Sequence, residues 1–586
     1  METKEYIVIL EKGIDHDQFW ADIESPTSGL PHIPDRAVDI INSLSAFDRQ
    51  CSYALTDNEA EQLKQDPRVR GVEIPLEQMP GVKIIPFTVQ NPATYSPPGN
   101  FTKPTTGSSA GTSINWGLIR NSNPTNVYGT GTTTSLNYNY VLDGTGVDIV
   151  ISDSGIQANH PEFQYVGNST SRVQTVNWAS YVPALSTMPD PLQDPDGHGT
   201  HVAGIATGKT YGWAKGAQIY SIIATGTGAP LVSNQFAAIK LWHQSKGANG
   251  RPTVVNMSWG SVIPWQFLAG VPDNTTPTTP LLQQAINNTL AGIVSVNYRG
   301  TTYPGNSGVT NYGLLLDPNN TGCLSSILSG FPNWTRQVED QLQTLIDAGI
   351  IVISAAGNNS YKIDKLVGGT GDYNNFANTI LGTFFYHKGS SPHVASSINV
   401  GNQDSNAYSS TQDQKATDSC AGPGVDVYAA GTNILSATTS NVSAPNYATS
   451  APYFLNNSFR QLNIGGTSMA SPQIAGLAAL YLQANPLSNN LASNNSLVVK
   501  NYITNRATST MNAPGNAFTY TNFRSTLGGS AIVGYQFIQG FNQIKTNDGN
   551  WKPVANVYIK SASSWQPVKT VWSKTATGWN VVFNDV

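Results

Sequence analysis

The sequence has little charge, few cysteines and no long apolar run. Charged residues make up 11% of its 586 residues, against the roughly 25% that is usual in soluble domains. The formal net charge is -5 and no basic run occurs, so we expect no nucleic-acid partner, which would need clustered cations for its phosphates. Because no stretch of about 18 apolar residues is present, we expect no membrane span either.

Three cysteines occur, Cys51, Cys323 and Cys420. An odd number at such wide spacing gives no disulfide or metal framework. We predict three thiols, with a Cys323–Cys420 disulfide as the alternative. The first residues lack the apolar core of a secretion signal, so we expect no signal peptide.

The first 79 residues are predicted to form a small α+β domain. Residues 5–10 have the pattern of a strand, and 69–74 that of a second one. Thr56 and Glu59 have the spacing of a capping box, in which a hydroxyl and a carboxylate satisfy free N–H groups at a helix start. Residues 80–113 are rich in Pro, Thr, Ser and Gly, which is typical of a linker.

From residue 114 to about 530, strands and helices alternate. Four apolar runs are predicted to be buried parallel strands: 147–152, 218–223, 253–257 and 350–355. Helical patterns are found at 201–207, 234–244, 334–348 and 470–483. This alternation predicts an α/β fold, a parallel sheet with helices on both faces and functional residues at the carboxyl ends of its strands. The stretch 261–331 fits no such unit, and we interpret it as an insertion.

The last part of the chain, residues 531–586, contains a short repeat. Trp551, Trp565 and Trp579 begin successive units 14 residues apart. Each unit has the pattern of a β element that is too small to bury its own apolar face, so neighbouring units are expected to stack. We predict a small β module with a structural or docking role.

Three glycine-rich motifs contain the residues for a nucleophilic reaction. Asp153 ends a predicted strand, His198 lies in a glycine turn before a helix, and Ser468 lies at a helix start. A hydroxyl nucleophile needs a base that takes its proton and an acid that orients the base. The helix N-terminus at Ser468 offers an N–H group and a positive dipole end to an oxyanion. Asn358, after another strand, is the predicted second oxyanion donor.

These motifs resemble those of the subtilase family. Asp-Ser-Gly at 153–155, His-Gly-Thr-His-Val-Ala-Gly at 198–204 and Gly-Thr-Ser-Met-Ala-Ser-Pro at 466–472 are similar to the family's acid, base and nucleophile segments, in the same order. Several long motifs in order are far more specific than one short motif. The resemblance covers about residues 116–510 and implies a subtilisin-like fold and serine peptidase activity.

The resemblance has further implications for substrate and regulation. Ser258, Trp259 and Gly260 lie in a segment similar to the family's pocket strand, so they are expected to bind a polypeptide substrate. Residues 1–79 are similar to the family's inhibitor-type propeptide, which implies a module that blocks the cleft until the linker is cut. The insertion directly follows the pocket strand, so the family's specificity does not transfer. No cofactor is required, although the family often binds structural calcium.

Other histidines and acids near the motifs have structural interpretations. His160, in the turn before Pro161, and His201, in the helix after the base, are interpreted as structural. His198 and His201 lack the i, i+4 spacing of a zinc helix, so we expect no zinc there. Three aspartates precede the base motif: Asp190, Asp194 and Asp196. They suggest a calcium loop but lack its glycine and glutamate spacing. A solvated acidic turn is therefore favoured, and we predict no metal ligands.

Two functional hypotheses follow. The first is a serine endopeptidase made as a propeptide-inhibited zymogen, with the propeptide as an internal partner. The second is a structural or attachment protein of a virion that retains the fold, because the Trp-headed repeats resemble segments of bacteriophage virion proteins. The predicted location is accordingly a phage particle with other virion proteins as partners; the alternatives are the extracellular space and the host cytoplasm.

Overall fold

A computed structural model describes the backbone of most of the chain. The described residues are 3–25, 29–42, 46–47, 49–86, 115–121, 140, 142–298, 301–305, 331–364, 375–379, 382–385, 388–404, 413–507, 511–512, 543–545, 551–553, 558–561, 564–567, 570–575 and 578–584. Beyond residue 507 the description is limited to backbone strands.

The N-terminal part is a four-stranded antiparallel sheet that carries helices. Its elements are β1 (Lys4–Leu10), α1 (His16–Glu24), β2 (Ile40–Asn42), β3 (Gln50–Leu55), α2 (Asp57–Leu63) and β4 (Val69–Glu73), and the strand order is β2-β3-β1-β4. The predicted capping box at α2 is confirmed: Thr56 Oγ1 accepts the N–H of Glu59, and the Glu59 carboxylate accepts the N–H of Thr56. A further strand, β5 (Lys83–Pro86), lies within the stretch predicted to be a linker.

The central part alternates strands and helices. Its first elements are α3 (Gly117–Arg120), β6 (Asp148–Asp153), α4 (His198–Thr207), β7 (Gln218–Ile223), α5 (Val232–Ser245), β8 (Thr253–Met257) and β9 (Trp259–Ile263). Next are α6 (Trp265–Ala269), α7 (Thr279–Ala291), β10 (Ile293–Tyr298), β11 (Thr301–Pro304), β12 (Phe331–Pro332), α8 (Arg336–Asp347), β13 (Ile351–Ala355), β14 (Phe376–Thr379) and β15 (Gly382–Phe385). The last are β16 (Ile398–Gln403), β17 (Asp413–Gln414), β18 (Val427–Ala430), β19 (Ile434–Thr438), β20 (Ala451–Tyr453), β21 (Asn456–Ile464), α9 (Thr467–Ala484), α10 (Asn495–Asn505) and β22 (Met511–Asn512).

Six parallel strands form the main sheet, in the order β18-β16-β13-β8-β6-β7. Side chains of β6 alternate between two cores, as the period of a strand requires. Ile149 and Ile151 pack in one apolar cluster with residues of α4 and α9, whereas Val150 packs in another with residues of α5 and α8. The predicted α/β class, with helices on both faces of a parallel sheet, is therefore confirmed.

The predicted insertion has secondary structure of its own. β9 continues to Ile263, and α6, α7, β10 and β11 follow it. β10 pairs with β14, which gives a second antiparallel sheet in the order β11-β10-β14-β15. The subdomain therefore extends beyond the predicted limit of residue 331, because two of its strands come from residues 376–385.

The C-terminal repeat corresponds to β-hairpins. The strands β23 (Gln543–Lys545), β24 (Trp551–Pro553), β25 (Tyr558–Ser561), β26 (Ser564–Pro567), β27 (Thr570–Thr575) and β28 (Gly578–Asn584) pair as three antiparallel ribbons. Each repeat tryptophan lies on the second strand of its ribbon, opposite a lysine: Lys545 with Trp551, Lys560 with Trp565, and Lys574 with Trp579. The predicted stacking concerns side chains outside the described residues.

Candidate active site

Asp153 and His198 lie side by side at the carboxyl edge of the main sheet. Asp153 is the last residue of β6, and His198 is the first residue of α4. Their segments approach closely because both contain glycine: a Cβ on Gly199 would lie 2.1 Å from the carbonyl oxygen of Gly155. His198 Nδ1 is 2.7 Å from Asp153 Oδ1, and both side chains are buried. The structure thus brings together the predicted base and the acid that orients it.

The pKa of His198 is raised above its ordinary value of 6.5 by its surroundings. Burial disfavours the imidazolium, but it is outweighed by the charge of Asp153, its hydrogen bond and the charges of Asp196 and Asp194 taken together. On the other side of the ring, Nε2 is buried and has no hydrogen-bond partner among the described residues. His198 is thus held in one orientation with a ring nitrogen left to accept a proton.

Asp194 holds the loop that leads into His198. Its Oδ1 accepts the N–H groups of Asp196 and Gly197 and the hydroxyl of Ser154, and its Oδ2 accepts the N–H and hydroxyl of Thr200. Burial raises the pKa of Asp194, and the side chain is 3% exposed. The interpretation of this stretch as a solvated acidic turn is therefore wrong at Asp194. Its carboxyl group is buried and hydrogen-bonds the backbone on both sides of His198.

Ser468 is the second residue of α9, so a helix N-terminus lies behind its hydroxyl. Its Oγ donates to the carbonyl oxygen of Ser258 at 2.8 Å, and the Ser258 hydroxyl donates to the carbonyl oxygen of Ser468 at 3.0 Å. The Ser468–His198 hydrogen bond is therefore not formed in this structure. Such catalytic hydrogen bonds often form only when substrate is bound.

Asn358 follows β13 and faces the start of α9. Its Oδ1 accepts the N–H of Thr467 at 2.9 Å and the Thr467 hydroxyl at 2.8 Å. Its Nδ2 is buried and has no partner among the described residues. An amide fixed through its oxygen, with its N–H₂ group directed away from that bond and near the predicted nucleophile, is the arrangement an oxyanion donor needs. Thr467, which the sequence analysis did not single out, provides this anchor.

Ser258 lies between β8 and β9, and Trp259 and Gly260 are the first two residues of β9. The side chain of Trp259 is 1% exposed, and its indole N–H lies 3.2 Å from Ser152 Oγ in the core. The predicted pocket role of Trp259 therefore does not extend to its indole ring. Along this segment, β9 pairs antiparallel with β5, with Pro86 opposite Trp259 and Ile85 opposite Gly260.

His160 and His201 have structural surroundings, as predicted. His160 Nε2 is 2.9 Å from the carbonyl oxygen of Arg460, and His201 Nε2 is 2.9 Å from that of Leu462. Burial lowers the pKa of His160 to about 4 and that of His201 to about 3. Both rings are therefore neutral hydrogen-bonding groups of the core.

The part of the chain that the structure describes contains no cluster of three or more His, Cys, Asp or Glu side chains that could hold a metal ion. Within the same part, no helix is long and apolar enough to cross a membrane. Cys51 and Cys420 are buried thiols, and burial raises the pKa of Cys420 to about 11. Cys323, the predicted alternative partner of Cys420, lies outside the described residues.

At the carboxyl edge of its parallel sheet, the chain has an Asp–His pair and a serine at a helix start. It therefore falls in the class of α/β proteins with a Ser-His-Asp constellation. Residues 144–522 match the model of the subtilase family. The chain belongs to the subtilase family.

Curated relatives match parts of the chain. It is 30% identical over 213 residues to an extracellular serine proteinase of Thermus sp. (strain Rt41A), which is 36% of this chain and 40% of that protein. It is 25% identical over 370 residues to subtilisin-like protease 3 of Pseudogymnoascus destructans, 63% of this chain and 59% of that protein. With subtilisin BL of Lederbergia lenta the identity is 24% over 372 residues, 64% of this chain and 87% of that protein. The first two matches therefore span about half the length of these relatives.

Two solved structures are similar. The crystal structure of a cold-adapted subtilisin-like serine proteinase has 22% identity and a TM-score of 0.36, over 71% of this chain and 98% of that one. The crystal structure of fervidolysin from Fervidobacterium pennivorans, a keratinolytic enzyme related to subtilisin, has 17% identity and a TM-score of 0.47, over 93% and 62%. At these scores neither likeness adds to what the sheet topology shows.

Proposed function

We propose that the chain is a serine endopeptidase that hydrolyses peptide bonds through an acyl-enzyme. Ser468 Oγ attacks the carbonyl carbon of the substrate while its proton passes to His198 Nε2. Asp153 orients the imidazole and stabilises the imidazolium. The observation that carries the proposal is the buried 2.7 Å Asp153–His198 contact, with His198 Nε2 left unpartnered among the described residues.

The attack places a negative charge on the former carbonyl oxygen. Asn358 Nδ2 and the backbone N–H of Ser468 donate to this oxyanion, and the N-terminal end of α9 favours the charge. When the intermediate collapses, the C–N bond breaks and the leaving amine takes the proton from His198. Water then attacks the acyl-enzyme with His198 as base, and the Ser468 hydroxyl is restored.

The substrate is an extended polypeptide that adds a strand to β9. Support comes from the chain's own β5, which already pairs with β9 in antiparallel register. Main-chain pairing of this kind gives affinity without requiring a particular side chain at each position. The binding role of Ser258, Trp259 and Gly260 is therefore carried by backbone groups.

We further propose that the N-terminal part inhibits the enzyme until the chain is cut. β5 covers β9, which is the strand that a substrate would need. Pro86, the last residue of β5, lies opposite Trp259, the residue directly after Ser258, whose carbonyl oxygen accepts the Ser468 hydroxyl. We propose that the chain is cut one residue beyond β5, at the bond between Phe87 and Thr88, within the stretch predicted as a linker.

Labelling with a serine-directed fluorophosphonate tests the activity. We expect the processed wild-type protein to be labelled and the Ser468→Ala variant to remain unlabelled. Intact mass, measured in parallel, is expected to show loss of residues 1–87 from the wild type and the full mass for Ser468→Ala. If folded wild-type protein freed of its N-terminal part takes up no label, the endopeptidase proposal is wrong.

The virion hypothesis is a proposal about location and is compatible with peptidase activity. It rests on the Trp-headed repeat, whose described strands form three antiparallel pairs. Mass spectrometry of purified particles tests it: the chain should be present at constant stoichiometry. Removal of residues 531–586 should eliminate it from the particles without affecting fluorophosphonate labelling.

A further inference from the structure

The insertion subdomain stands next to the strand on which the proposed substrate lies. α6 begins two residues after β9 ends. α6 and α7 share an apolar cluster through Leu268, Leu282 and Ile286, together with Ile263 of β9. Val82, immediately before β5, packs against the same cluster. The insertion subdomain thus shares an apolar core with β9, the strand on which the proposed substrate lies.

Two of its side chains contact β5 and the residues just ahead of it. Lys83 Nζ lies 2.5 Å from Asp273 Oδ2, in the loop between α6 and α7. The backbone carbonyl of Asp273 accepts the side-chain amide of Gln266 at 3.1 Å, which fixes that loop to α6. Gly81 has φ of 75°, and a Cβ built on it would lie 2.5 Å from the ring of Phe267.

If a substrate pairs with β9 in the same register as β5, each of these contacts corresponds to one position of the substrate. Lys83 is three residues before Pro86, which is opposite Trp259. If residue 87 provides the scissile carbonyl, Asp273 contacts the fifth residue before the cut and Phe267 covers the seventh. These positions lie beyond the segment 258–260 that the sequence analysis predicted to bind substrate.

We propose that the insertion subdomain is an added substrate-recognition wall of the peptidase. Asp273 selects a cationic side chain on the fifth residue before the scissile bond, and Phe267 selects glycine on the seventh. The inference rests on the proposed function, because it treats β5 as a stand-in for substrate. The preferred substrates are then polypeptides with a basic residue upstream of an apolar extended stretch, as in Gly81-Val-Lys-Ile-Ile-Pro.

Peptide hydrolysis by the processed protein tests this inference. The long substrate has the sequence of residues 80–91, and the short one that of residues 84–91, which lacks both contacts. Lys83→Glu is introduced into the long peptide. Because Lys83 and Asp273 are 47% and 67% exposed, we expect KM to rise only about threefold with kcat unchanged. The difference should shrink at high salt, since exposed charges are screened.

Enzyme variants identify the residues responsible. For each enzyme, the KM of a long peptide is divided by the KM of the short peptide. Asp273→Lys is expected to reverse the preference, so that the glutamate peptide has a lower relative KM than the lysine peptide. The matched control is Asp347→Lys, an equal charge change at the C-terminal end of α8, which should retain the lysine preference. Replacing Gly81 by Val in the long peptide should raise KM about fivefold because of the positive φ and the ring contact, and Phe267→Ala should recover part of that loss.

The outcomes separate the two proposals. Hydrolysis of the short peptide with equal KM for the lysine and glutamate peptides would overturn the recognition wall and leave the peptidase proposal standing. The recognition wall is likewise overturned if Asp273→Lys and Asp347→Lys behave alike. Failure of the processed protein to hydrolyse either peptide would overturn the peptidase proposal, and the recognition wall with it.

Discussion

The active-site region differs from the surface that contacts the N-terminal part in the kinds of contact that stabilise each. In the active site the groups are buried and belong to one sheet and its helices, with a hydrogen bond between Asp153 and His198. At the N-terminal surface, charged side chains contact helix ends or each other. Buried hydrogen bonds within one core preorganise the active site. The N-terminal part is instead attached through a small number of separate polar contacts, together with Ala46, Phe47 and Leu76, which pack in an apolar cluster of the central part.

Two glutamates of the N-terminal part reach helix starts in the central part. The Glu73 carboxylate accepts the backbone N–H of Gln337 at 3.0 Å, at the beginning of α8. Glu77 Oε1 accepts the backbone N–H of Val232 at 2.6 Å, at the beginning of α5. The first N–H groups of a helix have no partner within it. Each glutamate thus acts as a cap supplied by another part of the chain.

A third contact is ionic. Asp340 of α8 is buried, and its Oδ1 accepts Arg49 Nη2 at 2.5 Å and Arg70 Nη1 at 2.8 Å. Gln50 Nε2 donates to Asp340 Oδ2 at 3.1 Å. One acidic side chain on the helix therefore gathers three donors from the N-terminal part.

The difference between the two regions should be greatest at the nucleophile. Ser468→Ala removes the attacking oxygen, so we expect kcat to fall about 10⁴-fold or more, as for loss of a triad serine in general. Peptide hydrolysis measures the effect. The β5–β9 pairing should survive, because the hydroxyl contacts Ser258 and not β5. Retained hydrolysis in the variant would show that the nucleophile lies elsewhere.

The next largest effect is expected at Asn358. Asn358→Ala removes the unpaired Nδ2 and should lower kcat about 10²- to 10³-fold with little change in KM. Because the same substitution also removes the anchor of Thr467, Asn358→Asp is the matched variant that keeps the Oδ1 acceptor. Both variants should show this loss of kcat while remaining folded by circular dichroism. An active Asn358→Asp protein would argue against the amide as oxyanion donor.

Among the contacts between the N-terminal part and the central part, those of Asp340 should contribute most to docking of the N-terminal part. In the Ser468→Ala background, Asp340→Asn removes the charge that holds two arginines, and we expect docking to weaken by about 2 kcal/mol. Hydrogen exchange of the β5 amides reports the release of the strand from β9. The control is Glu61→Gln, which removes an exposed ion pair with Lys64 inside the N-terminal part. Equal exchange in both variants would mean that Asp340 plays no part in docking.

The pH profile tests the electrostatics of the active site. His198 acts as base only when neutral, and its pKa is raised above 6.5, so kcat/KM should fall about tenfold per pH unit below that raised pKa. The stability that the Asp153 contact gives runs the other way: it is full below the unfolded pKa and is lost as pH rises through the folded pKa. An acidic limb with its midpoint below 6.5 would contradict the arrangement.

Much of the main sheet and the triad motifs can be predicted from the sequence because their signals are local. The apolar run 218–223 and the strand have the same limits, and the capping box at Thr56 depends on residues three positions apart. Contacts that connect distant segments cannot be predicted in this way. β5 has the composition of a linker and becomes a strand only against β9, more than 170 residues later.

Burial explains the remaining differences. Asp194 has the sequence pattern of a solvated acid, because nothing in Asp-Pro-Asp-Gly indicates that the chain folds over it. The pattern around Trp259 is that of a pocket strand, yet alternation along β9 turns its ring into the core. Glu73 and Glu77 have no signal as caps, since the helices they cap are formed by other segments.

The smallest expected effect concerns Glu77, and it distinguishes a cap from a charge pair. Glu77→Ala in the Ser468→Ala background should weaken docking by about 1 kcal/mol, the usual value of a lost helix cap, as measured by β5 hydrogen exchange. Burial raises the pKa of Glu77, and this effect exceeds that of the hydrogen bond from the Val232 N–H, which lowers the pKa. A raised pKa means that its contribution is full below the ordinary carboxyl pKa and declines as pH rises through the raised one. Glu77→Gln keeps an acceptor oxygen and does not titrate, so it should dock nearly as well as wild type at acidic pH and remove this part of the pH dependence. An unchanged pH slope in Glu77→Gln would assign the dependence to Glu73 or another group.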